Sequence, residues 1–126
     1  MSNNRDKRVI ALIQARMSSS RLPGKVMMPI IGKPLIQHVV ERTSKAHLID
    51  DVVVATSDDR TDDQLCRFLS SQNIKFFRGS LDDVLERYFY AALAVEASHI
   101  VRITADCPLV EGLLIDEVIR AFEQGT

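Results

Sequence analysis

Apolar residues are laid out along this chain in two alternating rhythms. The runs Val9-Ile10-Ala11-Leu12-Ile13 and Val52-Val53-Val54-Ala55 are short and unbroken, as in strands buried on both faces. Lys75-Phe76-Phe77 and His99-Ile100-Val101-Arg102-Ile103 predict two further strands. Between them, apolar positions recur at helical spacing. Leu35, Ile36, Val39, Val40 and Thr43 predict a helix that starts at Pro34, a residue suited to a first helical position, and runs to about Ala46. Thr61-Asp62-Asp63 predict the start of a second helix, acidic at its positive end, with Leu65, Phe68 and Leu69 inward and Asn73 as its breaker. A third is capped by Asp82 or Asp83 and runs to about Ala97, with Val84, Leu85, Tyr88, Ala91, Ala92 and Val95 as its apolar stripe. Leu114, Ile115, Val118, Ile119 and Phe122 predict a fourth.

Strand–helix alternation without repeats predicts an α/β fold of three layers, α/β/α, around a mainly parallel sheet. The polar clusters at 14–25, 56–60, 78–83 and 104–108 then all fall at carboxyl ends of strands. They share one rim, where open α/β sheets bind ligands. Val26-Met27-Met28-Pro29 reads as a short extended piece and Ile30-Ile31-Gly32-Lys33 as a turn.

The densest of these clusters is Gln14-Ala15-Arg16-Met17-Ser18-Ser19-Ser20-Arg21-Leu22-Pro23-Gly24-Lys25. Its serines and Gly24 offer free backbone N–H groups, and Arg16, Arg21 and Lys25 place three cations within ten residues. A strand ending in such a loop is built to hold an anion, with phosphate the best match; the alternative is a solvated basic turn. Val26 follows Gly24-Lys25, which excludes the Walker pattern, and the dinucleotide G-x-G-x-x-G pattern is absent too. Asp106 follows the fourth strand and is stiffened by Pro108. A carboxylate facing a phosphate loop suits Mg²⁺, which takes one or two carboxylates plus substrate phosphates; the other reading of Asp106 is a helix cap. Arg78 stands at the third strand end, within reach of a base or phosphate, or else is a turn arginine. Arg87, at i+4 from Asp83, reads as a surface ion pair. Of Tyr88, Phe89 and Tyr90, only one can face inward.

Composition narrows the classes. The chain has 126 residues, enough for one domain: a disordered tail over 1–8 and a folded domain over 9–126. A net charge of −1 provides no strong field toward nucleic acid or membrane. The polar start MSNNRDKR is no secretion signal, and no apolar run approaches membrane-spanning length. Cys66 and Cys107 make neither a disulfide framework nor a zinc site, and His38, His47 and His99 share no metal spacing. A cytoplasmic protein is expected.

Ile13-Gln14-Ala15-Arg16 followed by Ser20-Arg21-Leu22-Pro23-Gly24-Lys25 resembles the signature of the CMP-sugar synthetases, the cytidylyltransferases for keto-deoxy sugar acids such as Kdo and sialic acid. Gly32-Lys33-Pro34-Leu35-Ile36 and Val53-Val54-Ala55-Thr56 continue the resemblance. Arg78-Gly79-Ser80, Asp83-Val84-Leu85, Arg87-Tyr88 and Thr104-Ala105-Asp106-Cys107-Pro108-Leu109 are similar to its SpsF-like branch, named for a spore-coat polysaccharide protein and often labelled a glycosyltransferase. The resemblance runs over nearly the whole chain from Val9. It implies the nucleotide-diphospho-sugar transferase fold, CTP, Mg²⁺ and attack of a sugar-acid hydroxyl on the α-phosphate. It implies triphosphate neutralisation by Arg16, Arg21 and Lys25, with Gly24 in the same nucleotide-binding loop. It places Ala15, Arg78 and Thr104 near cytosine or ribose, and the metal on Asp106. Arg16, Lys25 and Asp106 are then the expected catalytic residues.

Family members are considerably longer, so the chain is expected to be their nucleotide-binding half. By itself it is expected to lack synthetase turnover and to self-associate as a homo-oligomer through its fourth strand. Two other readings stay open. A glycosyltransferase would use a ready-made nucleotide-sugar, but Asp106-Cys107-Pro108 is not the D-x-D motif usual there. A nucleotide-binding module would carry no chemistry of its own. Backbone recognition of a base leaves no side-chain signature, so the sequence does not choose CTP over UTP.

Overall fold

The computed structural model describes residues 8–18 and 23–105. The expected tail over 1–8 and the fourth helix therefore lie outside the described residues, Arg8 excepted. Six strands and three α-helices follow one another: β1 (Val9–Gln14), β2 (Pro29–Ile30), β3 (Lys33–Pro34), α1 (Leu35–Thr43), β4 (Asp51–Ser57), α2 (Asp63–Ser71), β5 (Phe76–Gly79), α3 (Val84–Ala94) and β6 (His99–Thr104). The main sheet is wholly parallel, in the order β5-β4-β1-β6. Ile13 lies between Val54 and Ile103, and Gln14 beside Thr104.

The order explains the layers. The connections β1–α1–β4 and β4–α2–β5 step in one direction, and β5–α3–β6 steps back across the sheet. Right-handed crossovers then put α1 and α2 on one face and α3 on the other. The core divides accordingly, because successive strand residues point to opposite faces. Val9, Ala11 and Ile13 pack with Leu35, Ile36, Val39, Leu65 and Leu69. Ile10 and Leu12 pack with Val53, Ala55, Tyr88 and Ala91 on the opposite side. The central strand β1 is buried along both faces, which is why it reads as an unbroken apolar run.

Several element ends differ from the sequence pattern. Pro34 is the extended residue before α1, not its first turn, and pairs with Pro29 in an antiparallel β2–β3 hairpin. Its tip, Ile31-Gly32, has both residues at positive φ, as a tight two-residue hairpin turn requires. His38 on α1 holds the hairpin through Nε2 to the Ile30 carbonyl at 2.5 Å. Helix α1 stops at Thr43 rather than Ala46. Thr56 and Ser57 belong to β4 and are fully buried, whereas the sequence pattern assigns them to a loop. Helix α2 ends before Asn73, which takes a left-handed turn at φ 58 as its breaker. Helix α3 is capped by Asp83, whose carboxylate accepts the Glu86 amide at 2.9 Å, and ends at Ala94 rather than Ala97.

The stripe of α3 also needs correction. Leu85 is 76% exposed, and Arg87 is among the fully buried side chains. Of the three consecutive aromatics only Tyr88 is buried; Phe89 and Tyr90 face outward.

Candidate functional site

At the carboxyl rim, β1 runs one residue further than its strand. The Ala15 amide donates to the Ala55 carbonyl at 3.1 Å, and Ala15 is buried. The chain then leaves the sheet and is pinched shut. The Gly24 amide donates to the Met17 carbonyl at 2.7 Å, so Arg16 and Lys25 flank the neck of one loop. Gly24 sits at φ 79, where a side chain would be strained. Lys25 opens a single 3₁₀ turn, Lys25–Met27, anchored by buried Val26. The Met28 carbonyl then accepts the Leu35 amide at 2.9 Å, which ties the loop to α1.

Among the described residues, neither Arg16 nor Lys25 pairs with a carboxylate. Arg16 Nη1 reaches only the Leu81 carbonyl, at 3.5 Å. Among the described residues two cations thus stand at the neck of a backbone loop without a counter-ion, an arrangement chemically suited to an anion. Arg21 lies outside the described residues.

A buried carboxylate holds the loop from beneath. Asp62 is fully buried at the foot of α2. Its Oδ1 accepts the Met17 amide at 2.6 Å, and its Oδ2 accepts the Ser57 hydroxyl. The sequence pattern reads Asp62 only as a helix-start acid. The burial of Ser57 and Asp62 together is what distinguishes it, and local composition does not carry that signal.

The other strand ends contribute unequally. Thr104 is exposed at the end of β6, opposite Gln14. Gln14 Oε1 accepts from the Tyr88 hydroxyl at 3.3 Å, and the Arg102 guanidinium lies 4.4 Å from the Tyr88 ring centroid. Arg78 is committed elsewhere. Its Nε donates to the Ser57 carbonyl at 2.8 Å, and its Nη2 donates to the Asp59 carbonyl and Asp63 Oδ1, each at 2.9 Å. Burial disfavours its charge, but Asp63 outweighs this and raises its pKa above the ordinary arginine value. Arg78 also lines an open groove with Cys66, Arg67, Ser70 and Phe76 on the outer side of α2 and β5. Asp106 and Cys107 lie outside the described residues. Among the described residues no cluster of three or more His, Cys, Asp or Glu could hold a metal.

From the β5 end, the loop Ser80–Asp83 reaches the rim, and Arg87 supports it. Arg87 Nη1 donates to the Ser80 carbonyl and, at 3.3 Å, to the Leu81 carbonyl. Gly79 makes room for it, since a Cβ there would meet Arg87 Cγ at 3.0 Å. Burial lowers the pKa of Arg87, and the Arg16 charge lowers it further.

The sheet order and the helices on both faces define a Rossmann-like α/β/α domain, with the cationic loop after its central strand at the carboxyl rim. The chain belongs to the cytidylyltransferase family, whose model matches residues 10–126. It is 41% identical over 123 residues to the spore coat polysaccharide biosynthesis protein SpsF of Bacillus subtilis, covering 94% of this chain and 51% of that protein. It is 38% identical over 112 residues to the 3-deoxy-manno-octulosonate cytidylyltransferase of Geobacter metallireducens, covering 89% of this chain and 43% of that one. Among solved structures, a cytidylyltransferase from Leptospira borgpetersenii matches with a TM-score of 0.88 at 35% identity, over 94% of this chain and 50% of that one. A CMP:2-keto-3-deoxy-manno-octonic acid synthetase complexed with CTP matches with a TM-score of 0.82 at 28% identity, over 94% and 48%. The chain spans about half the length of the curated relatives it matches. No helix among the described residues is long and apolar enough to cross a membrane.

Proposed function

We propose that this chain forms the nucleotide-binding part of a cytidylyltransferase that moves CMP from CTP to a sugar acid, in surface-polysaccharide or glycan synthesis. The observation that carries the reading is the pinched loop, with Arg16 and Lys25 at its neck and no carboxylate partner for either among the described residues. Similarity to a synthetase complexed with CTP supports the nucleotide, and similarity to a 3-deoxy-manno-octulosonate cytidylyltransferase supports a keto-deoxy sugar acid as acceptor.

In this reading Arg16, Lys25 and Arg21 neutralise the triphosphate, and the loop backbone at Ala15 and Gly24 orients it. Thr104 and the Ser80–Asp83 loop border the base and ribose; Arg78 acts there by bracing the end of β4. An acceptor hydroxyl attacks the α-phosphorus, and the bond to the bridging oxygen of pyrophosphate breaks. Such transfer depends on positioning and charge neutralisation rather than covalent work by the protein. Asp106 would hold magnesium, which when bound supplies further neutralisation of phosphate charge. The residue before it, Ala105, is fixed to the rim by its amide's 3.0 Å bond to the Gln14 carbonyl. Strand β6, an edge of the described sheet with Ile100 exposed, is the surface through which copies would associate, and a cytoplasmic location suits the substrates.

The test supplies CTP, magnesium and a panel of keto-deoxy sugar acids, and measures pyrophosphate and CMP-sugar. This chain by itself is expected to bind CTP without turnover; acceptor-dependent pyrophosphate release is the expected result once the rest of the family's length is supplied. Use of a ready-made nucleotide-sugar with no consumption of CTP would support a glycosyltransferase instead.

A further inference from the structure

Arg87 is the largest fully buried side chain among the described residues, with a relative exposure of 0%. A charge so placed is ordinarily paired with a carboxylate, because an uncompensated buried charge costs several kcal/mol. Among the described residues Arg87 has no such pair. One nitrogen, Nη1, serves the Ser80 and Leu81 carbonyls. Nε and Nη2 have no hydrogen-bond partner among the described residues. The nearby carboxylate, Asp62, has its oxygens engaged by the Met17 amide and the Ser57 hydroxyl. Its other charged neighbour is another cation, Arg16, which reaches the same Leu81 carbonyl at 3.5 Å. Two guanidinium groups therefore converge on one carbonyl oxygen, the outer one toward the rim and the inner one sealed from water.

The sequence does not demand an arginine here for packing. Tyr88 and Ala91 belong to the apolar cluster under α3 and Arg87 does not, and Gly79 is a glycine at the point where Arg87 crosses the strand end. Among the described residues nothing offsets the burial of Nε and Nη2. A positive charge screened from water acts on an anion at the rim more strongly than an exposed one at the same distance.

We propose that Arg87 is a positioning residue for a polyanion: it fixes the Leu81 carbonyl that Arg16 uses, and adds a buried positive field beneath the anion that Arg16 binds. The ligand class is a polyphosphate, which deepens the nucleotide reading above and rests on it for the identity of the base only.

The test compares wild type with Arg87→Met and Arg87→Lys. Calorimetry measures affinity for inorganic tripolyphosphate, CMP and CTP; thermal scans measure the free proteins. Arg87→Met should lose about tenfold in affinity for tripolyphosphate and CTP and less for CMP, because the loss scales with ligand charge. Its melting temperature without ligand should be unchanged or raised, since an unpaired buried charge has been removed. Arg87→Lys should keep most of the tripolyphosphate affinity. Equal losses for CMP and CTP, an unaltered tripolyphosphate affinity, or an Arg87→Met chain that melts early or does not fold would each overturn the proposal. Wild type that binds tripolyphosphate through Arg87 yet ignores CTP would sink the nucleotide reading and leave this one standing. CTP bound equally by wild type and Arg87→Met would do the reverse.

Discussion

The backbone amide of Met17 donates to the buried carboxylate of Asp62 at 2.6 Å, so the loop after β1 is held by an acid from the foot of α2. Asp62 is itself steadied by the Ser57 hydroxyl at the end of β4. Two segments distant in sequence, the loop after β1 and the connection from β4 to α2, thus meet at the backbone beside Arg16. The proposed anion site depends on that backbone staying where the sheet puts it.

Asp62→Ala should therefore act on stability and on binding together. It strands the part-buried Met17 N–H and the buried Ser57 hydroxyl, a loss of about 2 kcal/mol. Asp62→Asn should cost less, because its oxygen still takes the Met17 amide and its NH₂ can donate to Ser57. Denaturant unfolding of the two variants checks the order; equal losses would show that the hydrogen bonds are not what Asp62 contributes.

Lys25 should matter to ligand and not to fold. Its neighbour Gly24 closes the loop through the backbone, so Lys25→Ala leaves the pinch intact. CTP affinity should drop by ~1.5–3 kcal/mol, the range for hydrogen bonds to charged groups. Calorimetry that finds CTP affinity unchanged would remove Lys25 from the binding loop.

The opposite rim carries an acid-sensitive lock. Burial pushes the Asp51 carboxyl up, but hydrogen bonds from Lys75 and the Val52 amide, with the charges of Lys75 and Arg8, outweigh it and hold its pKa below the ordinary value. A carboxylate lowered on folding adds stability above its unfolded pKa and loses it as pH falls through the folded one. Stability should therefore decline below about pH 4, near the ordinary carboxylate pKa. Unfolding midpoints across the acid range should show a shallower decline in Asp51→Asn; an identical slope would exclude Asp51 as a contributor.

Asp106 is tested through the metal. Asp106→Asn should leave CTP binding without magnesium unaltered and weaken the extra affinity that magnesium brings. A variant with full magnesium-dependent affinity would return Asp106 to the role of a helix cap.

The fold was legible where burial is two-sided or strictly periodic. Val9 to Ile13 could be read because both faces of β1 are covered, and α1 because Leu35, Ile36, Val39, Val40 and Thr43 all face inward. The loop cations were legible as well, since charge and small residues cluster within one stretch. What sequence alone concealed were groups whose role is set by partners far away. Thr56 and Ser57 look like loop residues because they are polar, yet β5 pairs with them and buries them. Arg87 looks like a surface residue because it is charged, yet it lies on the same face of α3 as Tyr88 and Ala91. Arg78 stands at the third strand end as the sequence places it, but the acceptors of its Nε and Nη2, the Ser57 and Asp59 carbonyls and Asp63 Oδ1, are not legible from its own neighbours.

CTP is expected to sit on the loop at the carboxyl rim. An amide-shift titration of the chain with CTP and magnesium tests it most directly. The expected shifts gather at Ala15, Arg16, Met17, Gly24 and Lys25, at Ser80 to Asp83, and at Thr104, while Asp50, Asp51 and Lys75 at the other end of the strands stay still. Saturable shifts confined to that opposite end, or none at all at millimolar CTP, the weak end of specific affinity, would contradict it.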